Sequence, residues 1–591
     1  MATETLVSPG VLLQEIDRSY IQPGTDPSGM AIIGPAVKGP IEVPTLVTNF
    51  QQYKDLFGIT FESASQGYEY FTSLATKNYF ANGGTSAVVV RVVSASGTWD
   101  YAANTHISAS AKDGTQPFTL ETIGKGAILN NASSLTGAID EFSGNILKTG
   151  SVDNFRWEIT SVNNKAGTFS LLIRRGDDSA SKPVILEQFN NVSLDPLSPN
   201  YIAKAVGDQK ITKNSAADGI EITGEFPNRS RFVRISAVNL PTYEYSINNV
   251  VQTDGASTSY SASLPTAQSG AFYNGAGSNI PSNTPGGAKY GSAAGAGADS
   301  ATNNIQGLRV ADYTDAINIM KNKEEFKFKT LIVPGLNQEN HSSTINTILS
   351  NTETRGDSFF IVDPVKYGVT TLSTVTNEAE EIDSSFGASY WPWAQVRSTA
   401  LGRNVWCPAS VVIPGVYAKN DSIAAPWFAP AGLTRGRTQI NKVETKLSKS
   451  QRDTLYASKV NPLATFPGQG VVVFGQKTLQ QAASALDRVN VRRLLLDVKD
   501  TINGFARKIV FEQNTDATRD RFKRQVTPYL ENLVSRQGLY AFQVKIDGQL
   551  NTAEVIDQNK MVGQVFLQPT KTAEFIALDF TITPTGASFT D

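Results

Sequence analysis

The sequence predicts a multidomain α/β (α+β) core interrupted by a large β-rich insertion, with an arm at each end. Three observations carry this. Strand-length apolar runs alternate with amphipathic helices on both sides of residues 97–305. Between those limits the composition turns to Thr, Ser, Asn and Gly with short alternating runs. The chain, at 591 residues, is several times the length of one domain.

Residues 1–20 read as an arm. Ser8-Pro9-Gly10 is a turn signal, and VLLQEI follows. Leu12 and Ile16 fall on one face and Val11 and Leu13 on the other, so this short strand seeks burial from two sides. Residues 21–96 hold the first part of the core. MAIIGPAV and PTLVTNF are strand-like, FQQYKDLFG is a short helix ended by Gly58, and GYEYFTSLATKNYF is a longer helix stopped at Asn82-Gly83-Gly84. SAVVVRVV is a strand buried on both faces.

Residues 97–305 form the β-rich insertion, with RWEITSV, FSLLIRR and RFVRISAV as its clearest strands. Within it, residues 255–304 are low in complexity, and between Asp254 and Asp299 Lys289 is the only charged residue. Such a segment buries too little apolar surface to fold alone and reads as a long exposed loop, so that deleting 270–298 is expected to be tolerated. Residues 306–480 return to α/β: ADYTDAINIMKN is helical, KTLIVPG a strand, STINTILSNTETRG a helix and SFFIVDPV a strand.

Residues 481–591 open with VNVRRLLLDVKDTINGFARKIV. It places Val491, Leu494, Leu495, Val498, Ile502, Phe505 and Ile509 on one helical stripe, with Arg492, Lys499 and Arg507 off it. TRDRFKRQVTPYLENLVSRQG is a second helix with Phe522, Val526, Leu530 and Leu533 on one face. Pro528 is expected to kink or restart it, with Thr527 as a cap and Gly538 as the stop. Three strands follow, AFQVKID, MVGQVFLQP and AEFIALDFTIT. The last alternates cleanly, with Ile576, Leu578, Phe580 and Ile582 on one face.

Little chemistry is on offer. Lys+Arg total 52 and Asp+Glu 54, a balance with no net drive toward nucleic acid or anionic lipid. The single cysteine, Cys407, excludes an intrachain disulfide. The N-terminus lacks the basic and apolar regions of a secretory signal, and no apolar run approaches the ~20 residues that span a bilayer, so a soluble protein made in a cytoplasm is expected. His106 and His341 are too few and too scattered for a zinc site or a catalytic triad, and surface or capping roles are expected. In GQGVVVFGQKT the spacing of Gly470 and Gly475 imitates a phosphate loop. Gln476 intervenes before Lys477, however, and the residues between the glycines form a strand, so the glycines read as strand boundaries. Glu378, Glu380, Glu381 and Asp383 read as a solvated acidic loop rather than a carboxylate pair or cation site. Arg519, Arg521, Lys523 and Arg524 read as a solvated or protein-contacting helix face. GVYAKNDSIAAPWFAPAG, at 415–432, could line a cleft or act as a packed strut.

Four stretches in order, VWCPASVVIPGVYAKNDSIAAPWFAPAGLTRG, SKSQRDTLYASKVNPL, GQGVVVFGQKT and DRVNVRRLLLDVKDTI, resemble the tail sheath proteins of contractile-tailed bacteriophages. SPGVLLQEIDRS with MAIIGPAVKGP near the start, and the ending from SRQGLYAFQVKID to TGASF, are similar to the same family. The resemblance covers roughly residues 1–95 and 308–591. It implies a structural subunit that polymerises helically around a tail tube and contracts to drive it through a host envelope for genome delivery. The core would face the tube and the insertion the outside. The two arms would exchange strands with neighbouring subunits through Val11, Leu12, Leu13, Ile16, Ile576, Leu578, Phe580 and Ile582. The implied partners are further copies of the chain, the tail tube protein, and baseplate and tail terminator proteins. No cofactor, enzymatic activity, direct nucleic-acid contact or membrane insertion is implied, and the location is the virion tail, with assembly in the host cytoplasm. Arg519, Lys523 and Arg524 become candidates for contact with an acidic tube. GVYAKNDSIAAPWFAPAG becomes a structural segment, stiffened by Pro426 and Pro430, in which Trp427-Phe428 pack on the core and Asp421 caps a helix or turn. The chain ends sooner after TGASF than the family's longer members. A phage-tail-like bacteriocin or injection-machine sheath is the alternative setting. A glycan-binding or depolymerising virion protein is the alternative of another class, though no regular repeat supports it.

Overall fold

The structure is a computed structural model describing residues 28–63, 66–94, 98–110, 115–132, 141–142, 146–214, 219–242, 246–247, 250–251, 263–277 and 306–574. The chain enters it with β1 (Ser28–Gly34), β2 (Thr45–Val47), α1 (Phe50–Phe57), α2 (Phe71–Ala81) and β3 (Ala87–Arg91). Asn49 caps α1 by accepting the N–H of Gln52, and Gly58 ends the helix at φ 71°. The residues before Phe71, expected in α2, instead form a short strand, Gln66–Glu69, paired with Thr60–Ser63.

The next strands are β4 (Tyr101–Asn104), β5 (Phe118–Lys125), β6 (Phe155–Asn163), β7 (Thr168–Arg175), β8 (Ile185–Ser193), β9 (Val233–Val238) and β10 (Gln268–Tyr273). Then come β11 (Phe328–Ile332), α3 (Gln338–Arg355), β12 (Phe359–Val362), α4 (Leu372–Glu380), β13 (Gly387–Trp391), α5 (Ile413–Ile423), α6 (Lys449–Ala457), β14 (Val460–Phe466) and β15 (Gly470–Val473). The last described elements are α7 (Val489–Arg507), α8 (Asp516–Ser535), β16 (Leu539–Lys545) and β17 (Gln564–Pro569).

Two large sheets result. The first has the order β2-β3-β1-β11-β12-β13-β14-β15, so its strands come from both sides of residues 97–305. From β3 to β14 it is parallel, and β2 and β15 pair antiparallel at its two edges. The pleat sends successive side chains to opposite faces. Met30, Ile32, Val89 and Ile361 accordingly enter one apolar cluster, and Ala31, Ile33, Val90 and Phe360 enter another. A parallel sheet covered on both faces needs the continuous apolar runs seen in the sequence.

The second sheet, β8-β7-β6-β10-β4-β5-β9, is antiparallel and comes wholly from within residues 97–305. Its buried side chains, including Phe118, Trp157, Leu171 and Phe272, belong to the same cluster as Met30 and Ile32. β10 corrects the loop expected across 255–304. Gln268–Tyr273 pairs with β6 on one side and β4 on the other, and Ala271 and Phe272 are fully buried. The Trp157 indole donates to the Ala271 carbonyl at 3.0 Å. A segment too polar to fold alone folds here because its neighbours supply the burial.

The C-terminal helices depart from expectation in two places. α8 runs unbroken through Pro528, because Val526, Leu530 and Leu533 are buried on its other side and packing outweighs one lost backbone bond. The first half of α7 is buried nearly all round, so Arg492 and Arg493 lie inside and Leu496 is more buried than Leu495.

Candidate functional site

The first sheet winds outward in both directions from the β1/β11 pair. Open α/β sheets commonly hold ligands in the crevice at such a point. Here Gln306 occupies it. Its amide oxygen accepts the Phe71 N–H at the start of α2 at 2.8 Å, and its amide nitrogen donates to the Pro334 carbonyl just beyond β11 at 3.2 Å. Only 4% of the residue is exposed.

The other chemical candidates are likewise tied into the fold. Gly470 opens β15 and Gly475 follows its end, as the strand-boundary reading requires. Lys477 donates to the Tyr456 carbonyl at 2.6 Å and lies over the Tyr456 ring. His341 is buried rather than on the surface, and it serves the N-terminus of α3, as a capping role requires. It interrupts the helical geometry of α3, and its Nδ1 accepts the Asn337 N–H at 3.0 Å. Glu378 and Glu380 lie on α4 rather than a loop, with Glu381 as its C-cap. No group of His, Cys, Asp or Glu suited to a metal ion occurs among the described residues. Cys407 is buried.

The arrangement that stands out is the C-terminal unit. α7, α8 and β16 enclose a third apolar cluster of Leu494, Val498, Val526, Leu530, Leu533, Leu539 and Val544. Trp427 is inserted into it from the stretch that joins α5 to the rest of the chain. Its indole donates to the Arg536 carbonyl at 3.1 Å, the Arg536 guanidinium lies over its ring, and its own carbonyl accepts from Asn490 at 3.2 Å. GVYAKNDSIAAPWFAPAG is therefore a strut, half of it helix. Asp421 is not a cap: it receives an ion-paired hydrogen bond from Arg493 at 2.5 Å. Arg493 also stacks on Tyr417, whose hydroxyl meets that of Tyr390 at 2.6 Å. Arg492 lies over the Phe386 ring at 4.0 Å and donates to Ser385.

β16 and β17 form an antiparallel pair from Leu539↔Pro569 to Lys545↔Gln564, with a register shift between Leu539 and Ala541. Among the described residues they pair only with each other, so each carries an unpaired edge. Tyr540 is 64% and Phe566 50% exposed. Beside the pair is a cleft of ≈ 990 Å³ whose apolar lining includes Ile502, Val510, Phe522, Val544, Met561 and Val565.

The expected contact residues separate. Arg519 is buried, donating to Asn514 at 2.7 Å and pairing with Asp516 at 2.5 Å, so it stiffens the first turn of α8. Lys523 and Arg524 are exposed, and Arg521 lies 3.4 Å from Glu512. Val11, Leu12, Leu13 and Ile16, like Ile576, Leu578, Phe580 and Ile582, lie outside the described residues.

One polar site went unread in the sequence. The Glu574 carboxylate accepts from Arg488 Nε at 2.8 Å and Nη2 at 3.0 Å, from the Tyr456 hydroxyl at 2.8 Å and from Gln476 at 2.9 Å. Burial pushes its pKa up, but the hydrogen bonds from Gln476, Arg488 and Tyr456 outweigh it and hold the carboxyl below its usual range. Its partners come from distant parts of the chain, and no local spacing announces them.

Residues 306–479 match the phage tail sheath protein central domain, and residues 481–583 match the phage tail sheath C-terminal domain. Over this region the chain is similar to the phage tail sheath family. It is 40% identical over 190 residues to a tail sheath protein of Vibrio phage KVP40, covering 32% of this chain and 28% of that one. It is 35% identical over 187 residues to the tail sheath protein of Enterobacteria phage T4, again covering 32% and 28%. The matches thus span less than a third of the length of these curated relatives. A solved sheath tail protein from Listeria innocua shares the fold, at a TM-score of 0.50 and 9% identity over 93% of each chain. The two matched regions adjoin in sequence between β15 and α7, and Trp427 and the Asp421–Arg493 pair join one to the other.

Proposed function

We propose that this chain is the structural subunit of a contractile tail sheath. It polymerises helically around a tail tube and contracts to drive the tube through the host envelope for genome delivery. The observation that carries this reading is the match of residues 306–583 to the two sheath domains. The open-edged β16–β17 pair is consistent with it.

A sheath needs a heterologous interface that repeats along a helix. It also needs two packings of one sequence, one metastable and one more stable. Strand addition keeps subunits joined during the change, because the backbone bonds of an added strand persist while its linker bends. VLLQEI and the strand containing Ile576 and Leu578 would supply the added strands, and β16–β17 of a neighbour would receive them. The work comes from relaxation of the lattice, so no nucleotide, cofactor or catalytic residue is assigned. Further copies of the chain, the tail tube protein, and baseplate and terminator proteins are the partners, and the virion tail is the location. Exposed Lys523 and Arg524 are the candidates for an acidic tube, with Arg519 holding their helix in place. Negative-stain microscopy of the purified chain tests the proposal: tubes are expected, and compact particles at every concentration would sink it.

A further inference from the structure

We propose that Glu574 is the positioning residue of the C-terminal arm: it fixes where the arm leaves the subunit, and its release lengthens the arm's reach. The inference rests on the strand-exchange reading above.

The chain leaves β17 at Pro569 and is pinned twice in the next five residues. The first pin is at the hairpin. The Thr570 N–H donates to the Gly538 carbonyl at 3.2 Å, and its hydroxyl donates to the Gln537 carbonyl at 2.8 Å. The second straddles the boundary between the two matched regions. Glu574 is held by Tyr456 at the end of α6, Gln476 after β15 and Arg488 at the N-cap of α7. Gln476 also donates to the Thr572 hydroxyl at 2.6 Å and is itself 3% exposed. Arg488 presents a two-nitrogen fork to both carboxylate oxygens, and Asp487, 3.0 Å away, balances its charge. Fork geometry fixes direction as well as distance. The alternating segment with Ile576, Leu578, Phe580 and Ile582 begins two residues later.

The consequence is a matter of tether length. With Glu574 seated, the arm starts from the boundary between the two sheath domains. With it released, the arm starts from Thr570, and the four residues between add up to ~14 Å of reach. A short tether aimed at one place raises the arm's effective concentration at its docking edge, and a longer, unaimed one lowers it.

The experiment uses the full-length chain with Glu574→Gln, and with Arg488→Lys, which keeps the charge and loses the fork. Three quantities are read: hydrogen exchange across 570–574 in the monomer, the monomer's Tm, and the critical concentration for tube formation by sedimentation. Both variants are expected to exchange faster at 570–574 and to keep Tm within about 2 °C, as for a change at a partly exposed polar site. Both should raise the critical concentration about 5-fold or more, the size expected of a lost tether constraint. Faster exchange with an unchanged critical concentration would overturn the positioning role, and unchanged exchange would overturn the clamp itself. A chain ending at Glu574 that still forms tubes at the ordinary concentration would instead overturn the strand-exchange reading on which the inference rests.

Discussion

Asp363 is buried just after β12. Its carboxylate accepts the N–H of Ser410 at 3.0 Å and the Ser410 hydroxyl at 2.5 Å. Burial raises its pKa to about 7, and the two bonds from Ser410 offset this only in part. Its folded pKa therefore lies above its unfolded value, and the folded state holds the extra proton between them. Stability from this group should fall as pH rises from about 4 to about 7 and level off above that. Asp363→Asn keeps an acceptor for the Ser410 N–H and cannot ionise. Urea denaturation at pH 5 and pH 8 should give a smaller difference for the variant than for the parent, and equal differences would refute the assignment. None of this was legible in the sequence, where Asp363 is one acidic residue after an apolar strand. The same limit applies to Asp421, read as a cap and found paired with Arg493, and to His341, whose burial the sequence did not show although its expected capping role fits. Side-chain partners so far apart along the chain are set by the fold, and local spacing carries no record of them.

Elements with strong periodicity were legible. β1, β3, β11 and β12 read correctly because a parallel strand covered on both faces must be apolar throughout. β10 did not, because QSGAFY lies in a tract whose composition argues for a loop, and its stability comes from β4 and β6. A deletion of 270–298 is therefore not one the fold should tolerate. That deletion removes Ala271 and Phe272 from the sheet and should leave the chain insoluble or greatly destabilised, whereas deletion of 281–298 should retain a cooperative melt. A folded product from the longer deletion, seen by calorimetry, would count against β10. Trp427 makes a parallel case for the C-terminal unit. The sequence placed it on a core but could not say that the core was that of α7, α8 and β16. Trp427→Ala should cost about 3–5 kcal/mol. The loss should appear as faster hydrogen exchange in α7 and α8, while β1 and β11 remain protected.

At the scale of the whole molecule, the likeness to tail sheath proteins was legible because several motifs occur in the right order. Of the basic cluster, Arg519 is spent within its own helix, and burial of that kind is invisible in a run of four cations. Reversing the charge at Lys523 and Arg524 should weaken co-sedimentation with the tail tube in low salt, where screening is least, and spare sheath–sheath contacts. Unchanged tube binding would remove these residues from the interface. The arms make the stronger prediction. VLLQEI is short and apolar on both faces, so it gains little as a free strand, while β16–β17 offers edges that are a hazard unless covered. Each backbone bond of an added strand contributes ~1 kcal/mol net, so a six-residue strand is enough to hold a neighbour. Removing residues 1–18 should therefore leave a folded, soluble monomer that does not polymerise. Pro at Leu13 or Leu578 should act in the same direction by deleting a ladder donor. Hydrogen exchange should find both arms unprotected in the monomer and protected in tubes, and β16 and β17 should gain protection with them. Ordinary contractile sheaths from the truncated chain would mean that the subunits are held together by something other than exchanged strands.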